Sequence, residues 1–201
     1  VSTPQPVPLV NLPNALTVLR LVLVPVFLLA LFAGGGHDTT WRWVAFLIFA
    51  LAAITDRFDG HIARKRGQVT DFGRIADPIA DKALTGSALV ALSMVSDLAW
   101  WVTVVVLIRE IGITLLRFAV IRYGVISASP GGKAKTLAQV FAIGLYIMPL
   151  PDVFDWLRWL TMGIAVALTV ITGIDYLIRA AGVVARGRIA AAVRRGPTSR
   201  S

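Results

Sequence analysis

The chain contains no cysteine in 201 residues, which excludes a disulfide framework and any thiolate metal site. Charge is scarce: Asp, Glu, Lys and Arg together make up 15% of the residues, against roughly 25% in soluble domains. The two histidines, His37 and His61, have no metal-ligand partner at useful spacing and read as incidental. Val1–Val10 is proline-rich and uncharged, without the basic n-region and cleavage site of a signal peptide. No long internal repeat is visible. What fills the chain instead is apolar: 57% of residues are hydrophobic and the mean hydropathy is +0.76. Such a composition belongs to an integral membrane protein, and the net charge of +9 points to anionic lipid or phosphate-bearing ligands as partners. Nucleic acid is not an expected partner of a chain embedded in a bilayer.

The apolar runs predict an all-α, polytopic membrane protein with six transmembrane helices. Asn14 is a good helix cap after the Asn11-Leu12-Pro13 turn, and the first span covers Ala15–Phe32, ending at Gly34-Gly35-Gly36. The second runs from near Trp41 to Arg64, the third from Phe72 to Val95, and the fourth from Leu98 to Arg122. A Ser/Pro/Gly break at Ser127–Gly132 precedes the fifth, from Lys133 to about Pro149, and the sixth covers Phe154 to Ile178. This divides the chain into an N-terminal segment (1–13), a six-helix domain (14–179) and a basic, frayed cytoplasmic tail (180–201). The turns after spans two and four hold Arg64, Lys65, Arg66, Arg74, Arg122, Lys133 and Lys135, and the tail adds arginines from Arg179 on. The opposite turns hold only Arg42 and Arg158, so the positive-inside rule places both termini in the cytoplasm. Trp100, Trp101, Trp156 and Trp159 fall where an outer aromatic belt would lie. The tail is expected to meet anionic membrane lipid, at roughly 1 kcal/mol per basic residue near the surface.

One stretch breaks the apolar pattern. Between Asp56 and Asp81 stand two pairs of aspartates, Asp56/Asp59 and Asp77/Asp81, at i,i+3 and i,i+4 spacings that put each pair on one helix face. Two helices joined by the Arg64–Phe72 turn would gather all four carboxylates at one point. Buried carboxylates need partners. The plainer reading pairs some of them with Arg57, Arg64 and Arg74. The other gives them to a hard divalent cation such as Mg²⁺, which prefers oxygen ligands and shares them with substrate phosphates. Four aspartates suffice for two ions, an arrangement suited to displacement at phosphorus. Gly60 and Ala63 remove bulk near Asp59, and Gly73 does the same four residues before Asp77.

The pattern D-x2-D-G-x2-A-R-x8-G-x3-D-x3-D is matched without a gap by Asp56, Asp59, Gly60, Ala63, Arg64, Gly73, Asp77 and Asp81. In this the chain resembles the CDP-alcohol phosphotransferases. Asn11–Arg20, Ala76–Lys82, Ile108-Arg109-Glu110 with Leu116-Arg117, and Gly132–Thr136 extend the resemblance toward the glycerophosphate-using members. The resemblance implies a six-helix enzyme, usually a homodimer, with a polar cavity open to the cytoplasm. It implies transfer of a phosphatidyl group from CDP-diacylglycerol to an alcohol, here sn-glycerol 3-phosphate, with release of CMP. By the same resemblance, Asp56, Asp59 and Asp77 hold two Mg²⁺ or Mn²⁺ ions. Asp81 takes the proton of the attacking hydroxyl, with a ligand role for it also open, and Gly60, Ala63, Arg64 and Gly73 face the CDP-diacylglycerol.

The acceptor's phosphate needs cations, and Arg109 and Arg117 lie inside an otherwise apolar span, two turns apart, with Lys133 and Lys135 opening the next. The plainer alternative pairs Arg109 with Glu110 or another span and leaves the lysines as topology markers. Two rival functions stay open. A cardiolipin synthase using phosphatidylglycerol, or a phosphatidylinositol-phosphate synthase, would carry the same acidic motif. A cation-coupled transporter would place its carboxylates near the bilayer midplane at broken helices, rather than beside a basic cytoplasmic turn.

Overall fold

The computed structural model describes the backbone at residues 12–66, 71–120 and 130–194, and side chains at 14–55, 79–80, 82–120 and 131–185. Among the described residues the protein is all-helical. Its six α-helices are, in chain order, α1 (Leu12–Phe32), α2 (Thr39–Arg66), α3 (Asp71–Met94), α4 (Trp100–Val120), α5 (Pro130–Ile147) and α6 (Asp155–Arg194). Single 3₁₀ turns, Ala33–Gly36 and Asp152–Phe154, lead into α2 and α6. Two stretches are long and apolar enough to cross a bilayer, Asn14–Gly36 (mean hydropathy 2.5) and Asp152–Ala185 (1.8); Thr39–Thr55 and Lys82–Met94 are shorter apolar stretches.

The bundle is inverted relative to a water-soluble one. Large apolar side chains face outward, with Leu29 at 74% exposure and Phe118 at 69%. Arg20, Thr17, Thr103 and Thr169 are buried at 1% or less. Water would reverse both preferences, so this surface fits association with lipid. Inside, Phe27 and Phe49 meet with ring centroids 5.8 Å apart, and alanines at 30, 45, 52, 88 and 91 let the helices approach closely.

The ends of the bundle differ in character. All six tryptophans lie near the starts of α2, α4 and α6, at one end, so Trp41 and Trp43 join the four expected there. Gly34, Gly35 and Gly36 all take positive φ to turn the chain between α1 and α2, and a Cβ on Gly36 would lie 2.6 Å from Val95 Cγ1. At this end Arg42 donates from Nε to Gly36 O (2.6 Å), from Nη1 to Tyr146 O (3.0 Å) and from Nη2 to the Asp97 carboxylate. Arg158 donates to the carbonyls of Leu145, Met148 and Leu150, which closes the C-terminus of α5. The two arginines that stood against the loop-charge pattern are therefore consumed by backbone carbonyls and carboxylates.

Four boundaries differ from expectation. α1 begins at Leu12, so Asn14, expected as its cap, stands inside the first turn; a proline at position 13 is tolerated there because first-turn N–H groups lack helical partners. Pro130 opens α5, so the latter part of the expected break at Ser127–Gly132 is helix; proline is well suited to a first turn. α3 begins at Asp71, one residue before the expected start at Phe72, and an acid there favours the helix N-terminus. The largest difference is α6, which runs unbroken for 40 residues to Arg194, through the position where the frayed tail was expected to begin. Alanine and arginine are strong helix formers, and no proline interrupts the chain before Pro197. Charge marks where a helix leaves the apolar phase, not where it stops.

Candidate active site

The backbone brings the two acidic pairs to one end. Asp56 and Asp59 lie toward the C-terminus of α2, and Asp77 and Asp81 in the early turns of α3, away from the tryptophan end. The side chains of Asp56, Asp59, Gly60-to-Arg64, Gly73, Asp77 and Asp81 lie outside the described residues, as do those of Arg57 and Arg74. Around them the described side chains are informative. On α1, Asn14, Thr17 and Arg20 recur every three residues and are all buried, at 6%, 0% and 1% exposure. The Phe27–Phe49 contact sets the register of antiparallel α1 and α2. Arg20 precedes Phe27 by seven residues and Asp56 follows Phe49 by seven, so both stand about 10 Å along from that contact. A fully buried polar stripe on α1 is thus level with the acidic end of α2.

One residue beyond Asp81, Lys82 reaches from α3 to α4, donating to the Thr114 hydroxyl and to Glu110 O at 3.4 Å. Glu110 is the hub of a cation cluster. Its Oε1 accepts from Arg109 Nη1 (2.9 Å) and from Lys135 Nζ on α5. Arg109 Nη2 donates to Thr172 Oγ1 on α6 at 2.9 Å, and its stem crosses Gly173, where a Cβ would come within 3.3 Å of Arg109 Cγ. Next to this group, Gln139 donates to Thr169 at 3.1 Å. Four helices are tied together here by three cations: Arg109 and Lys135 meet the Glu110 carboxylate, and Lys82 meets its backbone carbonyl. Arg109, Glu110 and Lys135 side chains are 17%, 19% and 5% exposed, an environment in which charges need partners.

The four residues expected at an acceptor phosphate divide. Arg109 and Lys135 converge on Glu110, as the plainer reading of Arg109 also anticipated, whereas Arg117 and Lys133 do not join that contact. The reason is helical phase. Eight residues advance Arg117 by about 12 Å and about 80° around α4, and the exposed guanidinium lies over the Tyr176 ring, 6.0 Å from its centroid. Lys133 and Lys135 differ by about 200° around α5, so one is exposed while the other is buried. Lys82, Thr114, Thr172, Gly173 and Tyr176 were missed. The last three recur at i, i+1 and i+4 on a span that looked featureless, and this small polar stripe was the available signal.

The donor set suits the metals that the resemblance implies: four carboxylates and no soft ligand, at the meeting of two helix ends. Among the described residues no other group of three His, Asp or Glu gathers.

Two helices carrying acidic pairs, beside a cation cluster in a bundle with an apolar outer face, have the make-up of a membrane-associated protein that handles phosphate esters. The chain belongs to the CDP-alcohol phosphatidyltransferase family, whose sequence model matches residues 10–171. It is 61% identical over 170 residues, 85% of this chain and 81% of the relative, to a probable phosphatidylglycerophosphate synthase of Mycobacterium tuberculosis. It is 37% identical over 172 residues to a CDP-diacylglycerol–glycerol-3-phosphate 3-phosphatidyltransferase of Rickettsia bellii, and 34% identical over 179 residues to the protein of the same name in Bacillus subtilis. These two alignments each cover 83% of this chain and 93% of the relative.

Proposed function

We propose that this protein transfers the phosphatidyl group of CDP-diacylglycerol to sn-glycerol 3-phosphate, producing phosphatidylglycerophosphate and CMP in phospholipid synthesis. The observation that carries the choice of acceptor is the convergence of Arg109 and Lys135 on Glu110, with Lys82, one residue beyond Asp81 on α3, bonded to the same residue's backbone carbonyl. Arginine and lysine donors so gathered suit an acceptor bearing a phosphate dianion better than a neutral alcohol. In the reaction the acceptor hydroxyl oxygen bonds to the phosphatidyl phosphorus, and the anhydride bond to the CMP phosphate breaks. Asp81 receives the hydroxyl proton. Asp56, Asp59 and Asp77, with Asp81 as a further ligand, would hold two Mg²⁺ or Mn²⁺ ions, which when bound offset charge on the pyrophosphate. Gly60, Ala63, Arg64 and Gly73 line the nucleotide side, Arg109 and Lys135 orient the acceptor phosphate, and Arg117 and Lys133 draw it in from solvent.

The same reading includes six membrane spans, a cytoplasm-facing polar cavity, a homodimer, and residence in the cytoplasmic membrane with both termini inside. The tryptophan end and the loop charges support the orientation. Purified protein given CDP-diacylglycerol, Mg²⁺ and a panel of alcohols should yield phosphatidylglycerophosphate by mass spectrometry. Cardiolipin or phosphatidylinositol phosphate as the main product would overturn the acceptor assignment.

Orientation has its own test, and the absence of native cysteine keeps its background clean. Cysteines introduced at Gln68 and Thr198 are expected to label only from the cytoplasmic side, and one at Thr39 only from outside. Labelling of Gln68 from outside would invert the topology and misplace the catalytic end.

A further inference from the structure

Two buried polar atoms on the α4–α6 interface have no hydrogen-bond partner: Arg109 Nε and the Tyr176 hydroxyl. They belong to neighbouring positions. Arg109 lies across Gly173 and bonds Thr172, and Tyr176 is one turn farther along the same face of α6. Both atoms are donors in a neighbourhood rich in cations and short of acceptors, since Glu110 is already engaged by Arg109 and Lys135. A phenol so placed lacks something to accept its proton. The exposed Arg117 guanidinium covers the Tyr176 ring, so a ligand that draws Arg117 away also uncovers the ring beneath it.

We propose that Tyr176 is a specificity-determining residue of the acceptor site, its hydroxyl donating, together with Arg109 Nε, to an oxyanion of the acceptor's phosphate. This rests on the acceptor-site reading above and extends it to α6. Arg117 leaves the ring to grip the same phosphate from the solvent side. Tyr176 thereby distinguishes an acceptor with a phosphate monoester from a neutral polyol, because only the former fills both orphan donors with one group.

The test uses the full chain in neutral-lipid micelles. Tyr176→Phe keeps the ring, and so the platform for Arg117, and deletes only the hydroxyl. The KM for glycerol 3-phosphate is expected to rise about 10-fold or more, with kcat largely retained and the KM for CDP-diacylglycerol unchanged. Without ligand the variant's Tm should equal or exceed that of the parent, because the deleted hydroxyl had no partner. The rise in Tm produced by glycerol 3-phosphate, or by inorganic phosphate alone, should shrink. Arg109→Gln, measured in parallel, separates this proposal from the reading beneath it. If Arg109→Gln raises the acceptor KM and Tyr176→Phe does not, the Tyr176 assignment fails and the acceptor site stands; if neither does, both fall. A lowered ligand-free Tm, a changed CDP-diacylglycerol KM, or an effect seen only when anionic lipid is added would each overturn the proposal, in favour of a packing, donor-site or headgroup role.

Discussion

Removal of divalent cations with EDTA is expected to reduce CMP release to background, and Mg²⁺ or Mn²⁺ to restore it. Four aspartates stand at fixed spacing near the C-terminus of α2 and in the early turns of α3, in a bundle whose outer surface is apolar. Monovalent side chains cannot offset four carboxylates together with a pyrophosphate. Lys82 and Lys135 are engaged with Thr114 and Glu110. An anhydride attacked by an alcohol needs its developing charge neutralised, and water is a poor substitute in a partly desolvated cavity. The measurement is CMP release by protein purified without metal, across a titration of chelator. Undiminished turnover in excess chelator would remove the two-metal reading and return the aspartates to pairing with arginines.

The second large effect is expected from Asp81→Asn. The substitution preserves side-chain shape and removes the negative charge and most of the basicity. If Asp81 is the proton acceptor, kcat should fall by about 10²–10⁴-fold, the usual worth of positioned proton transfer. Metal-dependent binding of CDP-diacylglycerol should survive. Direct binding of that lipid to the variant decides between roles. Lost binding would make Asp81 chiefly a ligand, and the acceptor's proton would need another destination.

The two helices that carry the acidic pairs could be read from the chain because their logic is local. Asp56 and Asp59 stand on α2, and Asp77 and Asp81 on α3, by spacing within each helix alone. The glycine run at 34–36 and the prolines at 149 and 151 mark breaks for equally local reasons. The cation cluster had no such local signature. Lys135 meets Glu110 across 25 residues and Arg109 meets Thr172 across 63, so helix packing decides which charges converge. That is why Arg117 and Lys133, chemically as suitable as their neighbours, stand apart from Glu110. Arg42 and Arg158 show the same limit from the other side. As charges they counted only toward topology, yet their geometry makes them terminal caps for backbone carbonyls. The far end of α6 was misjudged because a loss of hydropathy was equated with a loss of helix.

Arg42 also bears on how the protein comes apart. Its one guanidinium bonds the turn after α1, the C-terminal end of α5 and the Asp97 turn before α4, while its own backbone begins α2. Detaching any one of these segments strands a buried positive charge and releases the others from their common anchor. Loss of structure at the tryptophan end is therefore expected to be all-or-none rather than helix by helix, with partial opening of the bundle confined to the opposite end, which carries the acidic pairs.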